Sequence, residues 1–244
     1  MSLLISLVAV VLCSVAFHKP LRKFPLIFYC LAGVIAVIGV YFTLSQHPNT
    51  LVRALAFALQ KGQVGYAFFT VVMFIGVFDE NSSVRRMFNP IRAELSIIGA
   101  IVIVGHLLPY GVNYIRLLGQ VLSLQLSIQF SLLFACLLVV LLFVLTITSF
   151  NAIKQRMSAQ IWKRIQMLAY PFYGLIFLHL AGYLIVPALN GSLAPLMNFV
   201  IYCLIFIIYT ILRVSKAVRD RRSGNLSKTN ESNDMFYAVT HTSG

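Results

Sequence analysis

Apolar residues in this chain fall in long unbroken runs. They show neither the alternation of a half-buried strand nor the one-sided stripe of a surface helix. Seven runs, at roughly 2–17, 24–44, 64–78, 95–112, 126–148, 168–187 and 195–214, approach the length needed to cross a hydrocarbon core about 30 Å thick. No basic residue precedes the first run and no clear small-x-small cleavage site follows it, so it is read as a span and not as a signal peptide. The expected fold is all-α: a polytopic membrane helical bundle of about seven transmembrane helices. Three regions follow, with an N-terminal helix and basic connection at 1–23, a membrane domain at 24–214 and a polar cytoplasmic tail, expected to be disordered, at 215–244.

Composition agrees with this pattern. Hydrophobic residues make up 60% of the 244 positions and charged ones 10%, a balance that cannot clothe a water-soluble domain. The net charge of +13 would suggest nucleic acid in a soluble chain. Here it is read connection by connection, and nucleic acid is not an expected partner. Sixteen of the nineteen Lys and Arg residues lie on alternate connections and the tail; Arg53, Lys61 and Arg116 lie on the others. The positive-inside rule then puts the N-terminus outside and the C-terminus in the cytoplasm. Cys13, Cys30, Cys136 and Cys203 fall singly within runs, without metal-binding spacing, and read as small core residues. No internal repeat, phosphate-binding glycine loop or soluble nucleotide-binding domain is visible.

Candidate chemistry rests on two histidines. His18 and His47 lie in connections and His241 in the tail, but His106 and His179 lie inside spans four and six. Each is about twelve residues past the start of its span, which at about 1.5 Å per residue is roughly 18 Å. A single histidine at such depth is explained as readily by a hydrogen bond to a carbonyl or hydroxyl. Two at one level, with no intramembrane carboxylate to form a relay, favour a shared ligand. Haem iron with two axial imidazoles would satisfy both, whereas zinc or copper usually needs three or four side-chain ligands. Gly99 and Gly182 lie on the histidine faces and are expected to leave room for a macrocycle. Pro109 and Pro171 are candidates to break spans four and six.

Two segments carry a family resemblance: VRRMFNPIRAELSIIGAIVIVGHLLPY and ITSFNAIKQRMSAQIWKRIQMLAYPFYGLIFLHL. They resemble the ferric reductase-like transmembrane domain family in their basic connections and in the joint spacing of their histidines. The likeness covers about residues 24–214, a six-helix core to which the first span is an addition. It implies b-type haem held by His106 and His179, and transfer of electrons across a bacterial cell membrane. The implied donor is a cytoplasmic flavin reductase, carrying FMN or FAD, or a quinol; the acceptor is an outer-side redox partner or ferric iron. The chain would then be an electron-transfer subunit of an oxidoreductase.

One departure stands out. Where the family commonly has an inner histidine, this chain has Gln166, so a second haem lacks its ligand. Arg85, Arg86 and Arg92, with Lys163 and Arg164, fit flavin or propionate contacts, although the positive-inside rule already requires them. Trp162, Tyr170 and Tyr173 read as interfacial anchors. The competing reading is a haem-free transporter or membrane scaffold whose histidines line a polar path.

Overall fold

The computed structural model describes residues 2–45 and 56–241, with side chains given as far as Arg222 except at residues 2, 43–45, 117 and 118. His47 and Arg53 lie outside the described residues. Among those described there are helices and no strand. The main ones in chain order, short turns of helix aside, are α1 (Ser2–Lys23), α2 (Pro25–Ser45), α3 (Gln63–Ile75), α4 (Ser83–Phe88), α5 (Arg92–Leu117), α6 (Leu126–Ser149), α7 (Ala159–Gln166), α8 (Ala169–Leu189) and α9 (Leu193–His241).

Six helical stretches are long and apolar enough to cross a membrane, and α3 is a shorter apolar helix among them. The chain is therefore an integral membrane protein built as an all-α bundle. At thirteen residues, α3 reaches only about 20 Å, less than the sequence run 64–78 promised for a crossing. The reason is positional. Ten of its residues are buried, so α3 is enclosed by protein and need not match the bilayer. One apolar cluster joins it to α1, α2 and α5 through Val10, Ala32, Val71, Ile75, Leu95 and Ile98. On its other side, Tyr66 and Met73 pack with Tyr173 of α8 and with Tyr202 and Tyr209 of α9.

Local chemistry sets the ends of these elements. Phe24 alone separates α1 from α2, whose first residue is Pro25, a favoured N1 residue because its missing N–H would be unpaired there anyway. Pro171 likewise sits in the first turn of α8, where it breaks nothing, and α5 continues through Pro109. Lys19, Arg22 and Lys23 belong to α1 itself and not to a separate connection. The α9 helix continues into the polar segment as far as His241. It is tied to the turn after α3 by Lys216, whose buried ammonium donates to the Phe78 carbonyl at 3.1 Å, and by Arg219, which pairs with Asp79 at 3.2 Å.

Cys13 and Cys30 are exposed on the outer surface of the bundle and Cys136 is exposed into the cavity described below, so none of the three is a core residue. In a bilayer the outer surface is as apolar as the interior, and hydrophobicity cannot tell the two apart. Tyr173 also departs from expectation. It is 1% exposed and its hydroxyl lies 3.2 Å from Thr70 Oγ1 and 3.4 Å from the Tyr66 hydroxyl; it is a core residue with a satisfied hydroxyl, not an interfacial anchor.

Candidate functional site

Two cavities lie one above the other along the bundle. The first, about 680 Å³, is enclosed by α3, α5, α6, α8 and α9, and both His106 and His179 line it. Its size suits a large organic cofactor. Apart from the histidines and the charged Lys61, its lining is largely aliphatic and aromatic.

Each histidine is oriented by a backbone carbonyl. His106 Nδ1 lies 2.6 Å from the Gln60 carbonyl oxygen, and His179 Nδ1 lies 2.9 Å from that of Ser131. A carbonyl only accepts, so in both rings Nδ1 carries the proton and Nε2 holds a lone pair. Neither Nε2 has a hydrogen-bond partner among the described residues. The single-histidine explanation thus accounts for one nitrogen of each ring and leaves the other. Ligating histidines normally have this arrangement, with the distal N–H fixed by an outer acceptor.

Around these rings the backbone is built to close tolerances. Gly62 adopts φ +69°, and a Cβ there would come within 3.2 Å of His106 Cγ and 3.1 Å of Ile103 Cδ1. Glycine suits the position on both counts: the left-handed conformation strains other residues, and the imidazole leaves a Cβ only a tight fit. On the other wall, Ser131 Oγ donates to the His179 carbonyl at 2.7 Å while its own carbonyl accepts from the ring. This reciprocal pair locks α6 to α8.

The two expected glycines have a different task from the one anticipated. A Cβ on Gly182 would meet Ser127 O and Ser131 Cβ at 2.7 Å, and one on Gly99 would meet Phe68 Cβ at 2.9 Å. They allow helices to touch and do not open space for a macrocycle.

The second cavity, about 700 Å³, lies at the basic end of the bundle. It is lined by Arg85, Arg92, Lys154, Lys163, Arg213 and Lys216, together with Glu80, Glu94, Asp220, Trp162, Tyr170 and Gln166. Arg85 is committed to Glu80 at 3.2 Å and to the Phe78 carbonyl. Arg86 does not line the cavity; it is exposed and donates to Ser83 Oγ. Arg92, Lys154, Lys163 and Arg213 have no ion-pair partner among the described residues, and Glu94 Oε2 is buried without a hydrogen bond. Gln166 Nε2 donates to Thr148 Oγ1 at 3.1 Å, and Trp162 Nε1 donates to the Thr148 carbonyl at 3.0 Å. Among the described residues, only Phe69, Leu142 and Phe172 line both cavities, with Phe69 and Phe172 edge-to-face at 5.1 Å. One layer of side chains divides the two chambers.

Haem can be tested against this donor set. Two imidazoles with free Nε2 atoms face one apolar cavity, as bis-histidine ligation needs. No group of three or more His, Cys, Asp and Glu occurs among the described residues, so these residues offer no three-ligand set for a bare metal. The residues fit a haem at the first cavity. Gln166, engaged with Thr148, offers no comparable nitrogen at the second.

Sequence reading missed Ser131, Gly62 and the carbonyl of Gln60. Ser131 and Gly62 are single residues in apolar or loop surroundings, and no pattern links them to a histidine 48 or 44 positions away. The spacing His106, Tyr110, Tyr114, with His179 and Tyr183 on the facing helix, was available as an i, i+4 stripe. The Tyr110 ring lies 4.9 Å from that of His106 at a tilt of 46°, Tyr183 lies 5.4 Å from His179, and the Tyr114 and Tyr183 hydroxyls are hydrogen-bonded.

Residues 61–177 match the family model described as ferric reductase like transmembrane component, which bears out the resemblance. The matched stretch includes His106 and stops two residues before His179. An "Uncharacterized protein" of Treponema pallidum (strain Nichols) is 36% identical over 225 residues, covering 91% of this chain and 62% of that protein. The chain thus spans less than two thirds of the length of this relative. No solved structure matches.

Proposed function

We propose, for a chain that carries a ferric reductase-like transmembrane component, that it is a membrane b-type cytochrome. It passes electrons from a cytoplasmic donor, through one haem held by His106 and His179, to an acceptor on the outer side. The observation that carries this reading is the matched state of the two imidazoles, each with its Nδ1–H on a carbonyl and its Nε2 free in one cavity. A haem bound there supplies the one-electron chemistry. The protein supplies ligation, burial and orientation. The quoted segments also resemble the haem-binding membrane subunit of the bacterial methionine sulfoxide reductase system, and on that resemblance the chain acts as an electron-transfer subunit in a bacterial cell membrane, with the N-terminus outside and the tail in the cytoplasm.

The cavity at the basic end then faces the cytoplasm and takes the donor. Four cations without ion-pair partners, beside Trp162 and Tyr170, suit a planar ring with an anionic group, such as the isoalloxazine and phosphate of FMN or FAD; a quinol would use the ring site alone. Arg92 serves there, whereas Arg85 is already held by Glu80 and Arg86 faces away. The partition of Phe69, Leu142 and Phe172 keeps donor and haem apart by a single layer of side chains.

The test is optical. Membranes from cells overproducing the chain are expected to show a reducible b-type spectrum, with reduction by a flavin hydroquinone slowed about tenfold in Arg92→Gln, the size of one charge-assisted hydrogen bond. Dithionite should reduce both proteins fully. Membranes without a haem band would instead support the haem-free transporter or scaffold.

A further inference from the structure

The haem cavity has two unlike ends. Its deep end is closed by Phe69, Phe172 and Leu142, where a carboxylate would be desolvated without a partner. At its other end stand Lys61, Tyr110 and Tyr114. Lys61 is the one charged side chain that lines this cavity among the described residues. Its ammonium lies over two rings, 5.5 Å from that of Phe57 and 5.9 Å from that of Tyr110, and it has no ion pair there. Gln129, the other long polar side chain of the lining, already donates its amide to the Leu122 and Leu124 carbonyls at 3.2 and 2.7 Å. Tyr183 holds the Tyr114 hydroxyl and so fixes that ring at the mouth.

We propose that Lys61, assisted by the hydroxyls of Tyr110 and Tyr114, binds the carboxylates of the cofactor's side chains and so sets which way round it sits, with those groups pointing away from the basic end of the bundle. This rests on the haem reading above and deepens it. It moves the carboxylate contacts from the arginines of the basic end to the opposite end of the molecule. The physical reason is that a haem in the first cavity reaches Lys61 directly, while the arginines lie beyond the aromatic partition. Lys61 also stands next to Gly62, the residue whose left-handed turn brings the backbone against His106, so the cation and the ligand are positioned by one turn.

The experiment uses the purified full-length protein with Lys61→Glu, Lys61→Gln and Lys61→Arg, reading the rate of haem loss to an excess of a haem-scavenging protein and the midpoint potential. Lys61→Glu and Lys61→Gln should lose haem about tenfold faster than wild type, the size of one charge-assisted hydrogen bond. Their potential should also fall, because removing a cation favours the more positively charged oxidised form. Lys61→Arg should match wild type, and the absorbance maxima of all three should be unchanged since both imidazoles remain. Reconstitution with the dimethyl ester of haem gives the decisive arm: without carboxylates, wild type and Lys61→Gln should lose the cofactor at the same rate. Equal loss rates with ordinary haem, or the same Lys61 effect with the diester, would overturn this inference alone. A wild-type protein that holds no haem would overturn the function proposed above and this inference with it.

Discussion

His106→Ala and His179→Ala are each expected to reach the membrane and to retain less than about a tenth of the wild-type haem after purification. Loss of an outer partner to a ligating histidine typically costs 10–100-fold in affinity, and loss of the ligand itself costs at least as much. Each substitution removes one of the two free Nε2 atoms in the cavity and leaves a single imidazole to hold the group. It also removes the ring donor from a carbonyl, that of Gln60 for His106 and that of Ser131 for His179; in His179→Ala the bond from Ser131 Oγ to the backbone carbonyl of position 179 still joins α6 to α8. Haem extracted from each purified variant, divided by protein, gives the result. Normal content in both would remove these residues from the site.

Gly182→Val is expected to be the most damaging substitution away from the histidines. The new Cβ would stand 2.7 Å from Ser127 O and from Ser131 Cβ. The first of these is backbone and cannot rotate away, so α6 and α8 must separate. Overpacking of this kind costs about 1–3 kcal/mol, and the rigid neighbour places this case at the upper end. The separation also breaks the reciprocal bond of Ser131 with His179, so haem should be lost together with thermal stability. Gly174→Ala on the same helix meets nothing within 4 Å and should be neutral or slightly stabilising, because alanine is the better helix former. Melting of both variants in detergent separates a local clash from a general intolerance of α8 to change.

Much of the architecture was legible because membrane spans announce themselves by length. All seven apolar runs correspond to helices, and the histidines on runs four and six do share a cavity. What could not be read is which side of each helix faces protein. Cys13 and Cys30 look like core residues in a sequence and face outward, because lipid and core impose the same apolarity. Gly182 looked like space for a ligand and is a contact between helices, a distinction that depends on the neighbour's position. Tyr173 looked like an anchor for the interface and is buried against Thr70, since a hydroxyl can be satisfied by protein as well as by headgroups. The short α3 shows the same limit. Its apolar run is that of a crossing helix, yet burial on all sides makes it the centre of the bundle.

The inner end of the site is the part where a single residue type decides the reading. Gln166 occupies the place at which an inner histidine would stand, and the structure shows its amide engaged by Thr148 at 3.1 Å. Arg92 and Ala93, thirteen to fourteen residues before His106, are no better as iron ligands. Under the proposed function the second cavity takes a donor and not a second haem, even though its volume of about 700 Å³ matches that of the first.

Haem stoichiometry tests this account most directly. Full-length protein purified in detergent, with haem measured after extraction and protein by amino-acid analysis, should give a ratio near one and the spectrum of a low-spin centre with two imidazole ligands. A ratio near two would show that the cavity at the basic end also ligates iron, and a ratio near zero in stably folded protein would contradict the assignment of His106 and His179.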